Sequence, residues 1–83
     1  MNAEHLVVMA NQISQFFESQ PNRETAVDGV KTHIRKFWDP RMRKSIIAHL
    51  HAGAEGMRPL TKEAIVKLEA EQVVQTAGKV GAG

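Results

Sequence analysis

A run of basic residues near the middle of the chain is its clearest candidate for chemistry. Positions 31–44 hold six cations and one carboxylate, a local charge of +5 in a chain whose net charge is +2. Such a patch can bind a phosphate or an acidic protein surface, although composition alone favours a solvated helix face. The six cations are Lys31, Arg35, Lys36, Arg41, Arg43 and Lys44.

Three of these cations follow a predicted helix start. Asp39 and Pro40 predict that start, because aspartate caps helices and proline suits the first helical position. Arg41 then falls in the first turn, followed closely by Arg43 and Lys44, where the helix dipole disfavours each cation by about 0.3–1 kcal/mol. Arg43 also enters the apolar arc of the helix, so it needs an internal partner such as Asp39, or another protein. Since stability does not favour this arrangement, it indicates a binding role.

The other reactive residue types do not form a catalytic or metal-binding pattern. The chain has no cysteine, which excludes thiolate metal sites and disulfides. His49 and His51 project about 200° apart around a helix, so they cannot chelate one ion from the same face. Glu69 and Glu71 diverge similarly, and no nucleophile elbow, phosphate-binding loop or dinucleotide fingerprint occurs. We therefore expect no catalytic residue, no cofactor and no metal in this chain.

Hydrophobic periodicity predicts the elements that position these residues. It indicates an all-α protein, a small bundle of three to four helices built on an N-terminal antiparallel helical hairpin. The first helix covers residues 3–18, and Asn22 caps the second after a break at Pro21. We expect the aromatic ends of both helices to be buried. The two apolar stripes are Leu6, Met9, Ala10, Ile13, Phe16 and Phe17, and Ala26, Val27, Val30, Ile34, Phe37 and Trp38.

The second half of the chain predicts two further helices. The third runs to about His51 and is closed by Gly53 and Gly56. The fourth is capped by Thr61 and ends near residues 75–76. We expect residues 1–77 to form one helical domain and residues 78–83, with three glycines, to form a flexible tail.

Some residues do not fit the predicted apolar faces. Val7 and Val8 fall on the polar side of the first helix, and Leu68 falls outside the stripe of the fourth helix, which includes Val66. Gly29 falls on the outward side of the second helix, where glycine costs about 1 kcal/mol relative to alanine. It either permits close approach of another backbone or is tolerated drift.

Composition also limits the class of protein. No run of roughly 18–20 apolar residues is present and the N-terminus lacks a signal-peptide pattern, so we expect a cytoplasmic protein without a membrane partner. Two rival functions remain open beside docking onto a larger protein. One is a small basic helical module that binds nucleic acid, and the other is a structural protein that self-associates through exposed valines.

Two stretches of the sequence resemble a known family. Leu6-Val-Val-Met-Ala-Asn-Gln-Ile13, continuing to Phe16-Phe17, and His33-Ile-Arg-Lys-Phe-Trp-Asp-Pro-Arg-Met-Arg43 resemble the delta subunit of cytoplasmic NAD-dependent formate dehydrogenases. Ile46, His49 and a Gly-x-x-Gly-Met-x-Pro-Leu segment continue the similarity, which covers about residues 5–68. A seven-residue match containing Trp and Pro is more specific than helical periodicity.

The resemblance implies an accessory subunit of an oxidoreductase, itself without a redox centre. In that family the alpha subunit holds a molybdenum or tungsten bis-guanine-dinucleotide cofactor and iron–sulfur clusters. The beta subunit holds FMN and the NAD site, and the gamma subunit adds a cluster. The delta subunit is associated with assembly, cofactor loading or stability of the complex. The residues that we predict to bind the alpha subunit are Trp38, Asp39, Pro40, Arg41, Arg43 and Lys44.

Overall fold

The structure, a computed structural model, describes the backbone of residues 2–82 and the side chains of residues 2–71. Its secondary structure over that range is four helices: α1 (Ala3–Phe17), α2 (Arg23–Phe37), α3 (Pro40–His51) and α4 (Pro59–Ala82). The all-α prediction is confirmed. The predicted domain end at residue 77 and the flexible tail at 78–83 lie outside the residues whose side chains are described, so both stay predictions.

Side chains cap the first three helices. Asn2 accepts a hydrogen bond from the backbone amide two residues later, at 2.8 Å. Asn22 and Asp39 accept from the amides three residues later, at 3.2 and 2.9 Å. Each such cap stabilises a helix by about 1 kcal/mol. The caps predicted at Asn22 and Asp39 are confirmed, and Pro40 occupies the first turn of α3.

The core lies between α1, α2 and α4, with α3 packed against α1 and α4. A short turn at residues 18–22 joins α1 and α2, which pack on each other as a hairpin. The buried apolar residues are small and medium-sized with one exception, Trp38. They are Leu6, Val7, Ala10, Ala26, Val27, Val30, Ile34, Trp38, Ile46, Ala54, Met57, Leu60, Ala64, Ile65 and Leu68.

Two of the predicted helix faces are wrong. Val7 is buried although its stripe placed it outside, because the buried face of α1 runs through Leu6, Val7, Ala10 and Ser14 and not along the predicted stripe. In α4, Leu68 is buried and Val66 is 52% exposed. The helix begins at Pro59, before the predicted cap at Thr61, so residues 60 and 61 start an inward stripe that continues through Leu68.

A buried chain of polar atoms links α1 to the start of α4. The Thr61 hydroxyl donates to the side-chain oxygen of Asn11 at 2.8 Å. Since that hydroxyl has one proton, it must accept from the Ser14 hydroxyl, which lies 2.6 Å away. Ser14 and Thr61 are both fully buried. Thr61 is therefore a link between two helices and is not the helix cap that its sequence context predicts.

Asn11 also fixes the connection between α3 and α4. Its side-chain amide donates to the carbonyl oxygen of Gly56 at 2.9 Å, and its side-chain oxygen accepts from the Arg58 backbone amide at 3.1 Å. Arg58 in turn forms a two-pronged ion pair with Glu18, at 2.7 and 2.8 Å. The guanidinium lowers the pKa of the Glu18 carboxyl through these hydrogen bonds. α1 is thus held to the connection at two points, its middle and its C-terminal end.

Gly29 faces α1 and not solvent, which corrects the prediction. A Cβ atom at this position would lie 2.5 Å from Cε1 of Phe17 and 2.6 Å from its Cδ1. Real Cβ contacts are never this short, so the missing side chain makes room for the phenyl ring against α2. The close approach that glycine permits is to an aromatic ring and not to a backbone.

Replacing Thr61 with valine should destabilise the fold by about 1–3 kcal/mol, because it leaves the buried Ser14 hydroxyl without a partner. Urea unfolding of the chain measures this loss. Thr25→Val, on an exposed position of α2, is the matched control and should change stability by less than about 0.5 kcal/mol. Adding Ser14→Ala to Thr61→Val should recover part of the loss. Equal unfolding midpoints for Thr61→Val and Thr25→Val would contradict the assigned hydrogen bonds.

Gly29→Ala should destabilise the native chain, because the new methyl group displaces the Phe17 ring. In a Phe17→Ala background the same substitution should stabilise the chain by up to about 1 kcal/mol, the difference in helix propensity. Chemical unfolding of the four variants in this cycle gives both values. If Gly29→Ala has the same effect in both backgrounds, the ring does not occupy that space.

Candidate functional site

Two large aromatic side chains are exposed at the surface. Phe16 is 74% exposed and Phe37 is 72% exposed, so the prediction that the aromatic ends of the hairpin are buried is wrong for both. Phe17 is half-buried against Gly29. The buried face of α1 explains the exposure of Phe16. That face includes Val7 and Ser14, and Phe16 lies away from it on the helix. The hydrophobic core does not include the rings of Phe16 and Phe37.

The exposed rings border a groove of about 640 Å³ between α1, α2 and the start of α3. We call it the aromatic groove. On α1 its wall is formed by residues at offsets 0, 3, 4, 7 and 8, which is one face of a helix. Trp38 is buried and closes one part of it, so this side chain belongs both to the core and to the groove. The lining residues are Met9, Gln12, Ile13, Phe16, Phe17, His33, Phe37, Trp38 and Met42.

Neighbouring rings hold the exposed aromatics in place. Phe16 and Phe17 meet edge to face, with ring centroids 5.1 Å apart. The His33 and Phe37 rings are tilted by 42°, with centroids 4.7 Å apart. Such aromatic pairs are worth about 0.5–1.5 kcal/mol beyond the area that they bury. The groove therefore presents ordered rings and little polar functionality, an arrangement suited to burying apolar groups.

A smaller hollow of about 370 Å³ adjoins the aromatic groove. It shares Phe17, His33 and Phe37 with the groove and is also lined by Lys36 and Asp28. Asp28 forms an ion pair with Lys31 at 2.8 Å, which offsets its charge. Lys36 is exposed. The hollow therefore places one cation beside the exposed ring of Phe37.

Arg43 has an internal partner, although not the carboxylate considered from the sequence. Its guanidinium donates to the carbonyl oxygens of Trp38, at 2.6 Å, and Arg35, at 3.2 Å. These carbonyls lie at the end of α2, where the helix dipole favours a cation. Asp39 is engaged in capping α3 instead. The start of α3 disfavours the charge of Arg43, but the carbonyl groups at the end of α2 stabilise it.

Two more of the six cations are also engaged within the chain. Lys31 pairs with Asp28 and with Glu71, and these contacts raise the pKa of its amine, the Asp28 hydrogen bond contributing most. Arg35 lies 3.4 Å from Glu71. Both side chains thus link α2 to α4. They contribute to packing between helices and are poor candidates for a free basic surface.

The predicted docking residues fall into two groups in the structure. Asp39, Pro40 and Arg43 build the corner between α2 and α3. Arg41 and Lys44 are exposed on α3, and neither forms an ion pair among residues 2–71. Lys36, on α2, is likewise exposed and forms no ion pair among the same residues. Whether any of these residues binds a partner stays a prediction.

The histidines and acidic residues are dispersed. His51 contacts the Glu69 carboxylate at 2.6 Å, while His49 contacts the Glu55 carbonyl at 2.8 Å. Over the described part of the chain, no group of three His, Cys, Asp or Glu side chains could hold a metal ion. Within the same part, no helix combines the length and apolarity that crossing a bilayer requires.

Comparison with known proteins identifies a family. A family model described as the NADH-dependent formate dehydrogenase delta subunit FdsD matches residues 5–65. No curated protein and no solved structure matches the chain. The matched range contains α1 from its third residue, all of α2 and α3, every residue that lines the aromatic groove, and the polar link to α4. The resemblance seen in two short stretches thus extends over most of the sequence, and the chain belongs to the family of formate dehydrogenase delta subunits.

Proposed function

We propose that this chain is a non-catalytic accessory subunit of an NAD-dependent formate dehydrogenase, acting in the cytoplasm. It supports assembly, cofactor loading or stability of the complex by binding the alpha subunit through the aromatic groove. The molybdenum or tungsten cofactor, the iron–sulfur clusters and the FMN belong to the partner subunits in this proposal. The observation that carries it is the exposure of Phe16 and Phe37 beside a groove that the chain does not fill.

Two exposed phenylalanines beside one apolar groove favour a surface that binds another protein over a surface that stays in contact with water. Burying one such ring is worth about 1.5–3 kcal/mol, which is available to a complex and unused in the free chain. Contiguous apolar patches on small monomers commonly mark protein interaction sites. Aromatic residues that are already ordered lose little entropy on binding, which favours them as anchors.

In this proposal the predicted docking residues have separate roles. Trp38 closes part of the groove, and Arg41 and Lys44 lie on the exposed side of α3. Asp39 and Arg43 hold the corner that orients them. In this proposal the apolar lining supplies affinity, while the exposed cations supply orientation and rate of association.

Two alternatives are less well supported. Nucleic-acid binding depends on free cations, and Lys31, Arg35 and Arg43 are engaged within the chain. Self-association through the valines of α1 loses one of its two contacts, since Val7 is buried. Pairing of two aromatic grooves remains an outcome that the experiments below distinguish.

Charged substitutions in the groove should weaken binding of the alpha subunit. Each of Phe16→Glu and Phe37→Glu should reduce co-purified alpha subunit at least about tenfold, since losing one buried ring costs about 1.5 kcal/mol or more. Both rings are outside the core, so the free variants should keep their helical circular dichroism. Formate oxidation by the co-expressed complex should fall in parallel.

Val66→Glu is the matched control, because Val66 is 52% exposed and lies on α4, away from the groove lining. It should leave co-purification unchanged.

Co-expression of the other subunits without this chain should lower the yield, the metal content or the formate oxidation of the alpha subunit. Normal values for all three would refute the accessory role.

A further inference from the structure

We propose that the aromatic groove receives an amphipathic helix of the partner, with apolar side chains between α1 and α2 and carboxylates facing Lys36 and Arg41. This inference rests on the proposed function and specifies what the partner must supply. It follows from three features of the described residues: the shape of the groove, the charge around it and the absence of an available sheet edge.

The shape of the groove matches a helix. Its α1 wall consists of Met9, Gln12, Ile13, Phe16 and Phe17, which follow one face of α1 over about 12 Å, a little more than two helical turns. The opposite wall includes His33 and Phe37, one turn apart on α2. An apolar cleft that two helices line can accommodate a further helix, with side chains at i, i+3 or i+4, and i+7 entering it.

An extended peptide fits less well. Strand addition requires an unpaired sheet edge, and the described secondary structure is helical throughout. Besides the indole N–H of Trp38, the groove lining offers only Gln12 and His33 as polar side chains, too few to satisfy the backbone of an extended segment. A helix satisfies its own backbone hydrogen bonds, so it can lie in an apolar groove without that cost.

The charge around the groove favours an acidic partner. None of the groove-lining residues carries a carboxylate. Lys36 lines the adjoining hollow beside Phe37, and Arg41 immediately precedes the groove residue Met42. Neither cation forms an ion pair among residues 2–71. Carboxylates flanking the apolar face of an incoming helix would pair with them.

The same charges disfavour a second copy of this chain in the groove. A two-fold symmetric contact places the same patch on both sides of the interface. Lys36 and Arg41 would then border both sides of the contact, while the nearby carboxylates Asp28 and Asp39 are already engaged, by Lys31 and by the capped amide of α3. A heterologous acidic helix removes this repulsion.

Site-specific cross-linking of the co-expressed complex identifies the occupant. A photo-reactive phenylalanine placed at position 37 should cross-link to one segment of the alpha subunit, and the same group at Val66 should not. The captured segment should carry apolar residues at helical spacing with Asp or Glu beside them. Capture of a second copy of this chain, or of a basic or strand-patterned segment, would overturn the proposal.

Charge exchange tests the polar half of the inference. The double variant Lys36→Glu/Arg41→Glu should weaken alpha-subunit binding at least about tenfold at low ionic strength, and the loss should shrink in high salt. Lys62→Glu, an exposed cation on α4, is the control and should have no such effect. Replacing the carboxylates of the captured segment with lysines should restore binding to the double variant.

The outcomes separate this inference from the proposed function. If the unchanged chain does not bind the alpha subunit, the proposed function fails. The unchanged chain can also bind while the double variant binds equally well and no cross-link forms from position 37. Docking then occurs elsewhere, and only the helix inference is refuted.

Discussion

The hydroxyl of Thr61 determines which face of α1 enters the core, and the groove depends on that choice. This hydroxyl accepts a hydrogen bond from Ser14 and donates one to Asn11, so three polar groups on two helices are satisfied in one arrangement. Rotating α1 about its axis would leave buried hydroxyls unpaired, at a cost of about 1–3 kcal/mol for each group. The rotation that satisfies them turns Val7 inward and Phe16 outward. A polar contact inside the protein thereby creates an apolar feature on its surface.

The corner between α2 and α3 shows how two helix ends share one set of charges. Asp39 caps the start of α3, and Arg43, one turn further on, reaches back to the carbonyls that end α2. Each charge lies near a helix end of opposite sign. This arrangement fixes the angle at which α3 leaves α2, and with it the positions of Trp38 and Met42 in the groove. Of the basic residues that suggested a partner, Arg43 therefore serves first to shape the surface that a partner would meet.

Much of the fold could be predicted from local signals. The helix number and the caps at Asn22 and Asp39 follow from residue types that act within one turn of the chain. The rotation of α1 could not be predicted, because hydrophobic periodicity counts Ser14 as polar while a residue 47 positions away pairs it inside the core. Thr61 was misread for the same reason, since a threonine before an acidic turn is typical of a helix cap.

The candidate site was predicted in part. The sequence singled out the segment from Trp38 to Lys44, which borders the groove, but it assigned Phe16 and Phe37 to the core. An apolar stripe does not reveal whether its partner lies in the same chain or in another, so periodicity alone could not find the groove. The signal that could have done so was Gly29, whose lack of a side chain makes room for Phe17.

Trp38 gives the groove an optical property of its own. It is the single tryptophan of the chain, and the chain has no tyrosine, so its indole dominates the near-ultraviolet absorption and emission. That indole also lines the groove. Because the indole is already buried in the free chain, a molecule that enters the groove would change the intensity of its emission through direct contact more than its wavelength. The protein thus carries an intrinsic, label-free reporter of whether this surface is occupied.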